Sequence, residues 1–418
     1  MLQRGILMSE EETLTGSPTL RVMPVVFFNL LVYVVIGLPN AVIGAQFVHQ
    51  TLGFPTAVAG MTITLQYLGT FLTRLVAGQL VDHQGPKKIL RYGLIACTIS
   101  GLLMCLAAAI PGLMGMNSAT RYVALGVALL SRLFIGWAES WTATSVTTWN
   151  IRRVGPKHTS VAISWNGVTS YGGIALGVII GKFLGSFMPA ISLMPVGFAA
   201  TAMGIFGSAL LCFYTGVKPL PAKGEPMSFF KALRKVLPYG AALAAGSFGF
   251  GTVNGYLSIY YSANNWGNVG VAFSTFAIVF VLVRILFSSQ IDKRGGVPVA
   301  YVSLVTEAVA MACFCLIHSS TGGLIGAALT GAGFSLLFPA MGTMAVQTDG
   351  PEFGGILIAA YSVFTDLTIA IVGPLMGAIQ GSLGWSTMFA IVGILCASGI
   401  FFSSILSRIP GCGIQKTT

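Results

Sequence analysis

The chain has 418 residues, of which 55% are hydrophobic and only 8% charged, with 53 glycines. A water-facing surface on a protein of this size takes roughly a quarter charged residues, so a soluble globular fold is excluded and lipid becomes the solvent. The net charge of +11 does not point to nucleic acid, because the basic residues are dealt out between apolar runs and not gathered on one face.

Taken in order, residues 1–22 form a polar tail carrying Glu10, Glu11 and Glu12. It is too acidic, and lacks the early apolar core, for a cleaved signal peptide. Apolar runs long enough to cross a bilayer, at about 20 residues each, follow near 23–48, 56–80, 89–111, 122–148, 160–187, 193–215, 239–262, 270–290, 297–318, 323–346, 355–381 and 385–407. A basic linker, 217–238, separates an N-terminal set of six (23–216) from a C-terminal set of six (239–407), and 408–418 form a second tail. Within the linker, residues 227–236 have an amphipathic helical pattern that suits either a helix lying on the membrane surface or a solvated linker helix. Arg4, Arg21, Lys87, Lys88, Arg91, Arg152, Arg153, Lys157, the linker lysines, Lys293, Arg294, Arg408 and Lys416 all fall on one side, and only Arg121 and Lys182 on the other. The positive-inside bias makes the basic side, with both termini, cytoplasmic. The seven cysteines lie in spans or in the tail without metal-ligand spacing, so neither a metal nor a disulfide is expected.

The densest signal lies between the second and third runs: Gly78-Gln-Leu-Val-Asp82-His-Gln-Gly85-Pro86-Lys87-Lys88. It recurs 210 residues later at Arg284-Ile-Leu-Phe-Ser-Ser-Gln-Ile-Asp292-Lys293-Arg294-Gly295. In both copies an arginine (Arg74, Arg284) stands eight residues before the aspartate and a glycine (Gly85, Gly295) three after it. A carboxylate there can accept from backbone N–H groups at a neighbouring helix N-terminus and pair with a guanidinium. Arg74, Gly78, Asp82, Gly85, Lys87, Lys88, Arg284, Asp292 and Gly295 are therefore read as a duplicated latch, with the two arginines near enough to the basic face to snorkel.

At these residues the chain resembles the major facilitator superfamily, whose signature loop lies between its second and third spans. Arg132-Leu-Phe-Ile-Gly136 resembles the fourth-span arginine motif, and Gly167-Val-Thr-Ser-Tyr-Gly172-Gly173-Ile-Ala-Leu-Gly177 the glycine-rich fifth-span motif of antiporters. Ile163-Ser-Trp-Asn-Gly167, Gly331-Ala-Gly-Phe-Ser-Leu-Leu-Phe-Pro339 and Tyr361-Ser-Val-Phe-Thr-Asp366 look most like the YhhS/YfcJ-type bacterial permeases. Two departures stand out: Pro86 replaces the usual basic residue after Gly85, and no proline accompanies Gly172-Gly173. The resemblance implies an all-α membrane protein of twelve transmembrane helices in two pseudo-symmetric six-helix bundles. It implies a monomeric secondary transporter of a small-molecule substrate in a bacterial inner membrane, working by alternating access and without a cofactor.

Charges inside the spans are expensive and default to function. Asp366, seven residues before Gly373-Pro374, is the first candidate for proton or substrate linkage, because a proline break suits the edge of a cavity. Glu139 sits beside Trp137 and Trp141, two turns from Arg132 on one helical face. It reads either as a proton-exchanging group or as a buried carboxyl bonded to a neighbouring span. Glu307 reads more as a structural carboxyl. Asn29 and Tyr33, Trp165 and Asn166, and Asn254, Tyr256 and Tyr260 are cavity candidates, with Asn40 and Tyr67 beside them; Gln66 reads as interhelical glue. No phosphate-binding loop and no catalytic cluster is present, which argues against ATP-driven transport and against an enzyme. The expected function is proton-coupled efflux of a drug or metabolite by antiport. The alternatives are proton-coupled uptake of an organic anion or zwitterion and, more remotely, a membrane sensor that no longer transports.

Overall fold

The computed structural model describes residues 17–40, 42–155, 158–188, 191–217, 227–266, 269–347, 349 and 353–407, and among these it is helical almost throughout, with no strand. The tails (1–16 and 408–418) and the middle of the linker (218–226) lie outside the described residues. The helices are α1 (Pro18–Asn40), α2 (Thr56–Gln84), α3 (Pro86–Met114), α4 (Ser118–Val154), α5 (Thr159–Phe187), α6 (Leu193–Cys212), α7 (Phe229–Ala263), α8 (Val269–Phe287), α9 (Gly296–Leu316) and α10 (Ser320–Val346). The last helical run, Gly354–Ser407, is divided by Gly384, at φ 80°, into α11 (354–383) and α12 (385–407).

Among the described residues, eleven helical segments are long and apolar enough to cross a membrane, and α2 completes twelve by its length. Its 29 residues reach about 43 Å at 1.5 Å per residue. Thr62, Gln66, Thr70, Thr73, Arg74 and Asp82 of α2 are buried, whereas Met61, Ile63, Leu68, Leu72 and Val76 are exposed. Such a helix is polar toward the protein and apolar toward lipid, the reverse of a helix in water.

The packing repeats itself. In the first half α1 packs on α5, α3 on α4 and α6, and α2 on α4; in the second half α7 packs on α11, α9 on α10 and α12, and α8 on α10. The duplication seen in the two loops thus extends to whole six-helix bundles.

Three local features depart from the sequence expectation. The first run ends as an α-helix at Asn40, after Pro39, and continues as a π-helical segment, Ile43–Thr51. Most of the expected amphipathic linker helix is the beginning of α7, which runs unbroken through Pro238. The eighth run stops at Phe287, and Asp292 is carried by a separate short helix, Ser289–Arg294.

Glycines set the distance between α1 and α5. A Cβ on Gly177 would run into the Val34 carbonyl, and one on Gly181 into that of Leu38. Small residues allow this backbone approach, which gains van der Waals contact where lipid supplies no hydrophobic drive. Gly177→Leu is expected to force the helices apart, costing at least about 1–3 kcal/mol and lowering the unfolding temperature of the detergent-solubilised protein. Gly172→Ala, where a Cβ meets nothing within 4 Å, is expected to leave that temperature unchanged.

Candidate functional site

Both loops turn on a glycine in the left-handed region. Gly85 (φ 86°) and Gly295 (φ 85°) each close one helix and open the next, and each N–H donates to the carbonyl four residues earlier, Val81 and Ile291, at 3.0 Å. The turns place Asp82 and Asp292 at the same, basic end of the molecule. Asp82 accepts from the Gly355 N–H through Oδ1 (3.0 Å) and from the Ile356 N–H through Oδ2 (2.9 Å), at the start of α11 in the other bundle. Arg152 Nη2, at the end of α4, donates to Asp82 Oδ1 at 2.7 Å. The carboxylate satisfies two otherwise orphaned N–H groups and sits at the positive end of the α11 dipole. Gly78 lies against the Gly355 and Ile356 backbone, where any side chain would collide. Gln79 Nε2 adds a bond to the Met227 carbonyl at 2.9 Å.

The second copy is thinner. Asp292 accepts from the Ser160 hydroxyl, at the start of α5, at 2.5 Å. Partial burial pushes its carboxyl above the ordinary value, against the Ser160 hydrogen bond and the nearby His158. The lysine pair stands aside: Lys87 donates to the Tyr214 carbonyl at the end of α6, and Lys88 is exposed.

Two turns deeper than Asp82, Arg74 does not snorkel. It is buried and ion-paired with Asp366 of α11, Nε donating to Oδ2 and Nη2 to Oδ1, the latter at 3.5 Å. A second chain of polar groups runs beside this pair within the first bundle. Gln66 Nε2 and Thr70 Oγ1 donate to Glu139 Oε2 at 2.9 and 3.2 Å. Arg132 Nη2 in turn donates to Gln66 Oε1 and, at 2.8 Å, to Asn40 Oδ1; Arg132 Nε donates to the Thr62 carbonyl at 3.2 Å. Arg132 and Glu139 stand about 10 Å apart along their helix, and Gln66 is the amide that joins them. Sequence reasoning set Gln66 aside as a lone polar residue. Its signal was the four-residue spacing from Thr62 and Thr70 along one face of α2. Both polar chains branch from α2, one through Arg74 to Asp366 and the other through Gln66 and Thr70 to Glu139.

The other candidates scatter. Arg284, expected to snorkel, is buried instead, its guanidinium against the Ser164 carbonyl of α5 and the Ser335 carbonyl of α10. Glu307 is fully buried within the second bundle beside Gly249 and Gly333, with both oxygens unpartnered. Asn29 is a staple between α1 and α5: its Nδ2 donates to the Asn166 carbonyl, Thr169 Oγ1 and Ser170 Oγ at 2.8–3.1 Å. Tyr33 is buried where the charges of Glu139, Arg74 and Asp366 reach it. Trp165, half-buried, packs against the cores of both bundles. Asn254 is exposed. Tyr256 donates to the Gly373 carbonyl inside the second bundle. Tyr260 is a correction to the cavity set, because its ring sits in an aromatic core with Trp266, Phe314, Trp385 and Phe389.

Two six-helix bundles are joined through charged groups that bridge them inside the membrane-spanning region, the architecture of a membrane carrier. Residues 25–267 and 241–411 match the Major Facilitator Superfamily model. An MFS-type transporter of Burkholderia mallei (strain SAVP1) is 38% identical over 403 residues, spanning 94% of this chain and 95% of its own length. One from Pseudomonas aeruginosa (strain UCBPP-PA14) is 38% identical over 399 residues, with the same coverage. The chain belongs to the major facilitator superfamily and is a multi-pass membrane transporter. Solved structures share the fold: the human organic anion transporter MFSD10 (TETRAN) superposes with TM-score 0.74 at 16% identity, over 93% of this chain and all of that one. The proton:xylose symporter XylE superposes with TM-score 0.73 at 12% identity, over 94% and 97%.

Asp82→Asn removes the charge behind two bonds to α11. Hydrogen bonds to charged groups are worth about 1.5–3 kcal/mol, so amide hydrogen exchange at Gly355 and Ile356, read by mass spectrometry in nanodiscs, is expected to accelerate by about 10- to 150-fold.

Proposed function

We propose that the protein is a proton-coupled secondary transporter that carries a small solute by alternating access, with Asp366 as the proton-linked group and the Asp82 and Asp292 contacts as its cytoplasmic latch. The observation that carries this reading is the Arg74–Asp366 ion pair, which joins the bundles from within the membrane. A buried ion pair balances Coulomb attraction against desolvation. Protonating Asp366 removes the attraction and leaves Arg74 as an uncompensated cation, which favours parting of the bundles and entry of water. Rejoining them favours loss of the proton. The bonds across the bundles at the basic end (Asp82 to α11, Asp292 to Ser160, Gln79 to Met227) would then hold the cytoplasmic side closed in one phase and part in the other.

The basic segments support a cytoplasmic placement of this end and of both termini in a bacterial inner membrane, and the bundle symmetry within a single chain supports a working monomer. The loop and the glycine-rich fifth span support efflux by exchange with protons. A second reading, proton-coupled uptake of an organic anion, is favoured by Arg284, which has no carboxylate partner among the described residues.

The test is flux into and out of proteoliposomes under an imposed pH gradient, over cationic dyes, small polar metabolites and organic anions. Wild-type protein is expected to move one class of these uphill, driven by the gradient, and Asp366→Asn to lose the gradient-driven component entirely. Wild-type flux that ignores the gradient, or gradient-driven flux that survives in Asp366→Asn, overturns the coupling.

A further inference from the structure

Arg74 and Arg284 hold equivalent places in the two copies of the loop pattern, yet only one has a counter-charge. Arg74 is neutralised by Asp366. Arg284 is 1% exposed and, among the described residues, makes no ion pair. Its Nη2 donates to the Ser335 carbonyl and its Nη1 only weakly, at 3.5 Å, to that of Ser164, while Nε has no partner. The titratable groups that act on it are two phenols, Tyr171 and Tyr361. Arg132, the third buried guanidinium in the spans, reaches a carboxylate through Gln66; Arg284 has no such bridge.

The pseudo-symmetry locates the missing charge. Asp82 meets Gly355 and Ile356 at the start of α11, as Asp292 meets Ser160 at the start of α5. Asp366 lies ten residues beyond Ile356 and eleven beyond Gly355, which on α5 corresponds to Ser170 and Tyr171. The Ser170 hydroxyl is engaged with Asn29 and the Asn166 carbonyl. Tyr171 is half-buried, and its ring meets Phe280 edge-on at 4.6 Å and Phe250 at 5.4 Å. Phe250 stacks on Phe334 at 4.5 Å, and the Arg284 guanidinium lies over Phe280 at 4.7 Å. An aromatic wall drawn from both bundles therefore surrounds a cation that no carboxylate among the described residues neutralises.

We propose that Arg284 recognises the carboxylate of an organic anion whose apolar or aromatic body packs against Tyr171, Phe250, Phe280 and Phe334. This rests on the reading of the chain as a carrier and names the class of its substrate. A guanidinium presents a fork of donors that matches a carboxylate, and Arg is the side chain best suited to such pairing away from water. The incoming carboxylate takes up the free Nε–H and replaces the long bond to Ser164, so that the anion supplies in the second copy the charge that Asp366 supplies in the first.

The test is thermal unfolding of the full-length protein in detergent with benzoate or phenylacetate at millimolar concentration, each against its neutral amide. The carboxylates are expected to raise the wild-type unfolding temperature and the amides to leave it unmoved. Arg284→Gln abolishes the effect, and so does Tyr171→Asp, which places a carboxylate of the chain's own beside the guanidinium. Arg284→Lys, which keeps the charge without the fork, weakens carboxylate affinity about 10-fold or more and serves with Tyr171→Asp if Arg284→Gln fails to fold. Equal effects of acid and amide in the wild type, or a carboxylate effect retained in these variants, overturn the assignment. Carboxylate stabilisation without gradient-driven flux leaves the anion site standing and removes the proton coupling. Gradient-driven flux of a cationic dye without carboxylate stabilisation does the reverse.

Discussion

Two spans from opposite halves are joined, deep between their ends, by a buried ion pair of Arg74 of α2 and Asp366 of α11. An isolated charge in the hydrocarbon region costs at least several kcal/mol, and each member of the pair offsets that cost for the other. The pair therefore does more than hold two helices: it ties the stability of one bundle's polar face to the presence of the other bundle. A proton is the smallest agent that can cancel it. The neighbouring chain Arg132–Gln66–Glu139 lies in the same field and runs along the first bundle, so that a change of charge at Asp366 is felt at Glu139 as well.

The duplication gives the molecule two loop aspartates and two buried arginines, and the differences between the copies carry as much meaning as the likeness. The first aspartate has two backbone donors and a guanidinium; the second has a serine hydroxyl. The first arginine has a carboxylate; the second has carbonyls and rings. A symmetric scaffold fixes where the bundles touch. The asymmetric side chains leave one buried arginine paired with a carboxylate and the other against carbonyls and rings.

Much of this was legible before any coordinates. Lipid imposes long apolar runs, and the positive φ at Gly85 and Gly295 follows from the glycine that each aspartate precedes by three residues. The twelve spans, the bundle division and the loop repeat could be read from that spacing. Pairings were not legible, because they join residues with no local relation: Arg74 and Asp366 are 292 positions apart, and Asp82 and Ile356 are 274. Snorkelling was a reasonable expectation for Arg74 while its partner was unknown. Gln66 was passed over because an uncharged amide stands out less than a carboxylate, though it is the group that connects two charges. Asn29, Tyr256 and Tyr260 were all cavity candidates, yet Asn29 staples α1 to α5 and both tyrosines pack within their own bundle. Position on a face says that a residue is buried, not which neighbour buries it.

The coupling of protonation to bundle separation is tested most directly by pulsed electron–electron spin resonance between labels on the exposed Lys88 and Lys293 positions, at the basic ends of the two bundles, in nanodiscs taken from alkaline to acidic pH. The distance distribution is expected to shift to longer values on acidification in the wild type, and to stay long at every pH in Asp366→Asn. A distribution that stays short throughout in both proteins would contradict the role given to the Arg74–Asp366 pair.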